Sequence, residues 1–213
     1  DLLLTRPESF QDVPSFIAEI LARRGVESQQ ELELKLKYLL APSMKGLPEA
    51  IQLIDAAIDA GQKIVIVGDY DADGATSTAL MLLALRDMGA DVNYLVPDRF
   101  KYGYGLTPAI ADLAFASFTP DLLITVDNGI SSHAGVERCH ALGMQVIITD
   151  HHLTTKATPN AEAVVNPNQL GCDFPSKALA GVGVAFYVLA NLSSQRKKQG
   201  KPAANLTQYL DLV

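Results

Sequence analysis

Lys63-Ile64-Val65-Ile66-Val67-Gly68-Asp69-Tyr70-Asp71-Ala72-Asp73-Gly74 sets a β-branched apolar run directly against three aspartates spaced two apart. The pattern recurs twice. Leu122-Leu123-Ile124-Thr125-Val126 leads into Asp127-Asn128-Gly129, and Val146-Ile147-Ile148-Thr149 into Asp150-His151-His152. Short, continuously apolar runs of this kind are strands of a parallel sheet buried on both faces, and ligands bind outside the carboxyl ends of such strands. Five aspartates and two histidines are therefore expected along one edge of one sheet. Carboxylates held that close repel one another unless cations neutralise them, so the economical expectation is a site for hard divalent metals.

Outward from these runs, helix and strand alternate. Helices are predicted at Ala50–Ala60, Ala75–Met88, Pro108–Phe118, Ser131–Leu142 and Ala180–Leu192, and strands at Lys63–Val67, Val92–Val96, Leu122–Val126, Gln145–Thr149 and Ala163–Asn166. Alternation implies right-handed crossovers and an α/β fold, a mainly parallel sheet with helices on both faces. Residues 1–48 differ in character. Ser15–Arg24 and Ser28–Leu40 are apolar at helical spacing with Gly25 as a stop, predicting a small helical N-terminal extension before a domain spanning 49–213. The polar, basic run Gln195–Lys201 is expected to be an exposed loop, and Leu206–Val213 to begin a further helix.

Composition narrows the class. Among 213 residues 48% are hydrophobic, enough for a sizeable core. No apolar run approaches the roughly 20 residues that span a bilayer. The chain opens Asp1-Leu2-Leu3-Leu4, without an initiator Met or a basic leader, which predicts a cytoplasmic protein and a processed or excised fragment. Cys139 and Cys172 lack metal-type spacing and read as two reduced thiols. A net charge of −7 argues against nucleic acid at first sight. Several of those charges are the clustered aspartates, however, and bound Mn²⁺ or Mg²⁺ would reverse the local sign.

Asp69, Asp71 and Asp73 project to the same side of an extended loop, and Gly74 allows a tight turn into the next helix. The run also opens like a calcium-binding EF-hand loop, but the twelfth position is Leu80 where a glutamate is required. Asp127 alone would be only a turn residue; its place at a strand end makes it a site candidate. Adjacent histidines beside carboxylates suit Mn²⁺ better than Ca²⁺, with Mg²⁺ still open. His140 reads as a surface residue and His133 as a weak substrate contact. Two softer features fit phosphate handling. Arg99-Phe100-Lys101-Tyr102-Gly103-Tyr104-Gly105-Leu106 offers cations and tyrosines for phosphate contact and base stacking, Arg99 and Tyr104 foremost, although an ordinary flexible loop has the same composition. Gly181 and Gly183 either bring backbone N–H groups to a phosphate or allow close helix packing.

VGDYDADGATSTAL (67–80), VDNGIS (126–131), TDHH (149–152), NPN (166–168) and LAGVGVAF (179–186) together resemble the DHH phosphoesterase superfamily, and within it the bacterial single-strand-specific exonucleases. The likeness extends to RFKYGYGL (99–106) and FPSK (174–177) and covers essentially the whole chain. It implies two Mn²⁺ or Mg²⁺ ions, with Asp71 and Asp73 as ligands, Asp127 bridging the metals and His151 a further ligand. It also implies that His152 approaches the scissile phosphate and that Asp150 orients the motif. Where many members carry a histidine this chain has Val67, and Asp69 is the residue to compensate, as ligand or from the outer shell. The implied activity is metal-dependent phosphodiester hydrolysis, degrading single-stranded DNA from its 5′ end in repair and recombination, with single-strand-binding protein and a helicase as partners and no membrane. Alternatives are a DHH phosphodiesterase acting on short oligonucleotides, cyclic dinucleotides or pyrophosphate, and a non-catalytic DNA- or partner-binding module. A receiver-like signalling domain fits less well with paired histidines. The resemblance also implies a further catalytic aspartate beyond a segment like Tyr209–Val213, with Asp211 only in its lead-in, followed by a second core domain and an OB-fold.

Overall fold

The computed structural model describes Phe10, residues 13–33 and residues 35–213. Compactness divides the chain into two units, Asp1–Ala41 and Pro42–Val213. In the first, α1 (Ser15–Arg23) follows Pro14, and an exposed Glu19–Arg23 pair one turn apart lies on its surface. The helix expected over Ser28–Leu40 is corrected to two short 3₁₀ turns, Gln29–Leu32 and Leu36–Tyr38. Leu32, Leu36, Leu39 and Leu40 do stand at helical spacing, but the backbone turns extended at Glu33 and Lys35 and no residue of either turn is buried, so no packing supports a continuous helix. Glu31 folds back to accept the Ser28 N–H at 2.9 Å, closing the first turn on itself.

The second unit runs α2 (Leu47–Asp59), β1 (Lys63–Gly68), α3 (Ala72–Asp87), β2 (Asp91–Leu95), α4 (Arg99–Tyr102), α5 (Pro108–Phe118), β3 (Leu122–Val126), α6 (His133–Ala141), β4 (Gln145–Thr149), β5 (Ala163–Val165) and α7 (Gly181–Lys198). Residues 42–48, expected in the extension, belong here: Met44 and Leu47 are buried in its core. The sheet is parallel throughout, in the order β2-β1-β3-β4-β5. Alternate strand residues fill two cores. Ile64, Ile66, Leu122, Ile124 and Ile147 pack under α2, α3 and α7, while Val65, Val67, Leu123, Val146 and Ile148 pack under α5 and α6. A strand buried on both faces has no polar alternation, which is why these segments read as unbroken apolar runs. The chain leaves β1 for β2 on one side and returns for β3 on the other. The crevice between β1 and β3 is therefore the switch point where doubly wound sheets bind ligands.

The exposed loop expected at Gln195–Lys201 is also corrected. α7 continues to Lys198, and Arg196 is 2% exposed. Its guanidinium pairs with Asp55 and, at 3.0 Å, with Asp59, both on α2. Lys201 reaches the same two carboxylates at 3.1 and 2.5 Å. The basic run looked solvated because its partners lie some 140 positions away in the sequence. After α7, Leu206–Leu212 forms a 3₁₀ helix, and its Tyr209 hydroxyl donates to Asp87 at the end of α3 at 2.8 Å. No described helix is long and apolar enough to cross a membrane. Replacing Arg196 with Ala removes the buried cation of the network and leaves the buried Asp55 carboxylate only Lys201 and Gln195, a defect of about 3 kcal/mol. Thermal melts should show a fall on the order of 10 °C, against a much smaller fall for Lys201→Ala, whose ammonium is partly in water.

Candidate metal centre

Strand register assembles the site. Gly68 pairs with Val126, Val126 with Thr149, and Thr149 with Val165. The next residue of each chain segment is thus Asp69, Asp127, Asp150 and Asn166, emerging in one row about 4.8 Å apart. Asp71 caps α3, its Oδ1 accepting the Gly74 N–H at 2.9 Å. Gly74 is required there, since a Cβ would lie 2.5 Å from the Asp69 carbonyl oxygen. Asp73 sits in the first turn of α3 and accepts the Gly181 and Val182 N–H groups, both at 2.7 Å, at the opening of α7. Helix N-termini favour such anions. The Gly181 amide therefore serves Asp73 rather than a phosphate, and a Cβ at Gly181 would lie 2.6 Å from Asp127 Oδ1. A Cβ at Gly183 would collide with Leu179. Packing is the role the geometry supports for both glycines.

Asp127 has φ 61°, and among the described non-glycine residues only Thr119 shares a positive φ. Left-handed backbone is costly for a residue with a Cβ and persists where its surroundings enforce it. Here the Thr125 hydroxyl donates to the Asn128 carbonyl at 2.7 Å. The Asn128 amide donates to the carbonyls of Val67 at 3.1 Å and Val126 at 2.9 Å, tying β1 to β3. The Asp127 side chain is 1% exposed, and its Oδ1 has no hydrogen-bond partner among the described residues. His151 Nε2 lies 3.1 Å from that oxygen without the alignment of a hydrogen bond. Burial, with Asp73 and Asp71 adding repulsion, pushes the Asp127 carboxyl up to about 8.

Asp150 behaves differently. Burial disfavours its charge, but hydrogen bonds from the His152 ring, the His152 amide and the Ile130 amide outweigh that and hold it below the usual range. It also accepts the His151 N–H at 2.7 Å. These bonds tie the loop that follows β4 to Asp150. His152 Nδ1 lies 2.6 Å from Asp150, which raises the imidazole to about 9 despite partial burial. At neutral pH that ring is a cation, with Nε2 turned outward 3.2 Å from the Tyr104 hydroxyl.

Ligand atoms of Asp69, Asp71 and Asp127 lie within 4.8 Å of one another, as do those of Asp127, His151 and His152. Asp127 is common to both groups. Ligands bound octahedrally at about 2.1 Å stand about 3 Å apart, close to the Asp127–His151 separation. The donor set and the unpartnered oxygen fit divalent cations. Asp73 lies beside them, its Oδ2 3.5 Å from His151 Nε2. Asp69 stands among the groups that could hold a cation, while Val67 is buried under α5 and α6. The Arg99 guanidinium lies 3.9 Å above the Tyr70 ring and 5.9 Å from that of Tyr104, beside a small pocket that Asp69 and Asn128 also line. Two residues fall elsewhere. His133 opens α6 and is exposed, with no hydrogen bond or ion pair to the cluster among the described residues. Asp211 lies in the 3₁₀ helix that meets the far end of α3, about 20 Å from Asp73 at 1.5 Å per residue. The sequence assigned no role to Tyr70, Asn128, Asn166 or Asn168 individually, although the three asparagines stand in the motifs VDNGIS and NPN.

A doubly wound fold with carboxylates and histidines converging at its switch point defines an α/β protein built to hold cations. Residues 63–213 match the DHH family, N-terminal domain, and the chain belongs to that family. It is 48% identical over 210 residues to the single-stranded-DNA-specific exonuclease RecJ of Escherichia coli K12, covering 95% of this chain and 36% of that protein. The chain thus spans about a third of that relative's length. Structures of RecJ from Thermus thermophilus superpose on it, one in complex with Mn²⁺ (33% identity, TM-score 0.73, 94% of this chain and 28% of that one). The other is in complex with Mg²⁺ (29% identity, TM-score 0.59, 94% and 24%).

The site carries a stability signature. The folded chain keeps the Asp127 proton up to about pH 8, whereas an unfolded chain releases it near 4. Stability is therefore lost as pH rises through that window. His152, raised to about 9, stabilises fully below about 6.5 and loses that contribution as pH rises through 9. Chelator-treated protein should melt at progressively lower temperature from pH 6 to 9. Asp127→Asn should raise the melting temperature at pH 8 by on the order of 5 °C and flatten the profile.

Proposed function

We propose that this chain hydrolyses phosphodiester bonds of single-stranded DNA, holding two Mn²⁺ or Mg²⁺ ions and removing nucleotides from the 5′ end. One observation carries the reading: Asp127, common to two convergent groups of candidate ligands, has a buried carboxylate oxygen with no hydrogen-bond partner among the described residues. Asp69 and Asp71 would hold one ion, His151 the other, Asp127 both, and Asp73 supports the cluster from the α7 N-terminus. Bound ions supply a nucleophile at neutral pH and neutralise charge developing on the phosphate. The protein's own groups supply the rest. His152, cationic and aimed outward, donates from Nε2 to a non-bridging phosphate oxygen, and its charge is sustained by Asp150. Arg99, braced on Tyr70, contacts a neighbouring phosphate, and Tyr104 flanks the reacting group. The acidic net charge is compatible with this because the ions reverse the sign where the strand lies. Repair and recombination in the cytoplasm, beside single-strand-binding protein and a helicase, is the setting that the relatives' function suggests.

The test is a Mn²⁺ titration with 5′-labelled single-stranded DNA, alongside short oligonucleotides and cyclic dinucleotides. Release of labelled nucleotide with metal, abolished in Asp127→Ala, supports the proposal. Preference for a cyclic dinucleotide transfers the chemistry to that substrate, and metal binding without hydrolysis leaves a metal-holding portion of a larger active centre. Where release occurs, His152→Gln should lower kcat by about 100-fold to 1,000-fold while Mn²⁺ affinity stays within a factor of a few.

A further inference from the structure

Residues Asn166-Pro167-Asn168 follow β5, an edge strand of three residues whose register puts Asn166 beside Asp150. Asn166 is fully buried, and its Oδ1 accepts the Asn168 N–H at 2.7 Å, an ordinary Asx turn. The turn does not account for the amide nitrogens. Asn166 Nδ2 donates to the His152 carbonyl at 3.0 Å, and Asn168 Nδ2 to the His151 carbonyl at 2.5 Å and the Lys177 carbonyl at 3.2 Å. Asp150 already takes the N–H groups of both histidines, at 2.7 and 3.1 Å. Each histidine is thus gripped at its N–H by Asp150 and at its carbonyl by an asparagine. Beyond them Leu153 is 83% exposed, and no helix or strand intervenes before Ala163, so nothing downstream would otherwise restrain the pair. Lys177 fastens the asparagine loop from outside, its ammonium donating to the Pro167 carbonyl at 2.6 Å and the Cys172 carbonyl at 2.8 Å.

We infer that Asn166 and Asn168, strapped by Lys177, are positioning residues that fix the His151–His152 peptide planes and so aim both imidazoles. The inference rests on the metal reading for its consequence, but its geometry is independent of a metal. Partners behind a ligand commonly change metal affinity by about 10-fold to 100-fold. Asn168→Asp is the informative change because it keeps the side-chain shape, removes both donated bonds and adds a negative charge. Electrostatics alone would tighten Mn²⁺, whereas loss of aim weakens it.

The experiment measures Mn²⁺ affinity by calorimetry and records ¹⁵N–¹H spectra of the histidine rings in metal-free protein, for the parent chain, Asn168→Asp and Lys177→Met. The expected result is an affinity about 10-fold weaker in Asn168→Asp, smaller weakening in Lys177→Met, and shifted or broadened signals from both rings. Should Asn168→Asp fail to fold, Lys177→Met, which leaves both asparagines in place, decides alone. Unchanged ring signals in a folded variant, or tighter Mn²⁺, overturn the inference. If the parent chain binds no Mn²⁺ yet the ring signals respond, the metal reading falls and the positioning role stands.

Discussion

The common register of four parallel strands governs this structure. Because β1, β3, β4 and β5 end at one level, the residues that follow them form a row at hydrogen-bonded strand spacing, and three of the four are aspartates. Side-chain repulsion along that row works against folding, and the two apolar cores hold it together. A shift of one residue in any strand would turn its apolar set toward the wrong layer, so the cores that stabilise the sheet also fix where the carboxylates emerge.

Repulsion at the row is distributed unequally, and the inequality is what makes it useful. Asp73 is satisfied by the opening amides of α7, and Asp150 by a fan of N–H groups and the His152 ring. Asp127 receives neither kind of relief, and its backbone is held in a conformation that costs energy. The strain sits where two ligand groups meet, a trade of stability against function common at active sites. Asn128 links that turn to β1, so the crevice cannot open without breaking the bonds that hold Asp127 in place.

Rigidity is recruited from further away too. The Asp55–Asp59–Arg196–Lys201 network joins α2 to the C-terminal end of α7, whose N-terminus carries the amides that hold Asp73. An 18-residue helix packed along one face makes those amides a fixed point, not a loop. β5 buries Ala163, Val164 and Val165 in the two cores and leads directly into the asparagine loop beside the histidines.

The sequence by itself determined the strand runs, their parallel arrangement, the acidic edge and the family resemblance. Each rests on local signals: β-branched runs, acidic residues at their ends, and motif order. It did not determine the state of the residues within that edge. Whether Gly181 faces a phosphate or Asp73, whether Arg196 is solvated or buried, and which aspartate keeps a proton all turn on partners about 55 to 140 positions away in the chain. At Ser28–Leu40 the helical spacing is present, but neither turn buries a residue, so the packing that would hold a helix is missing. Only tertiary structure settles such questions, because burial and electrostatic environment belong to the three-dimensional neighbourhood and not to the order of residues along the chain.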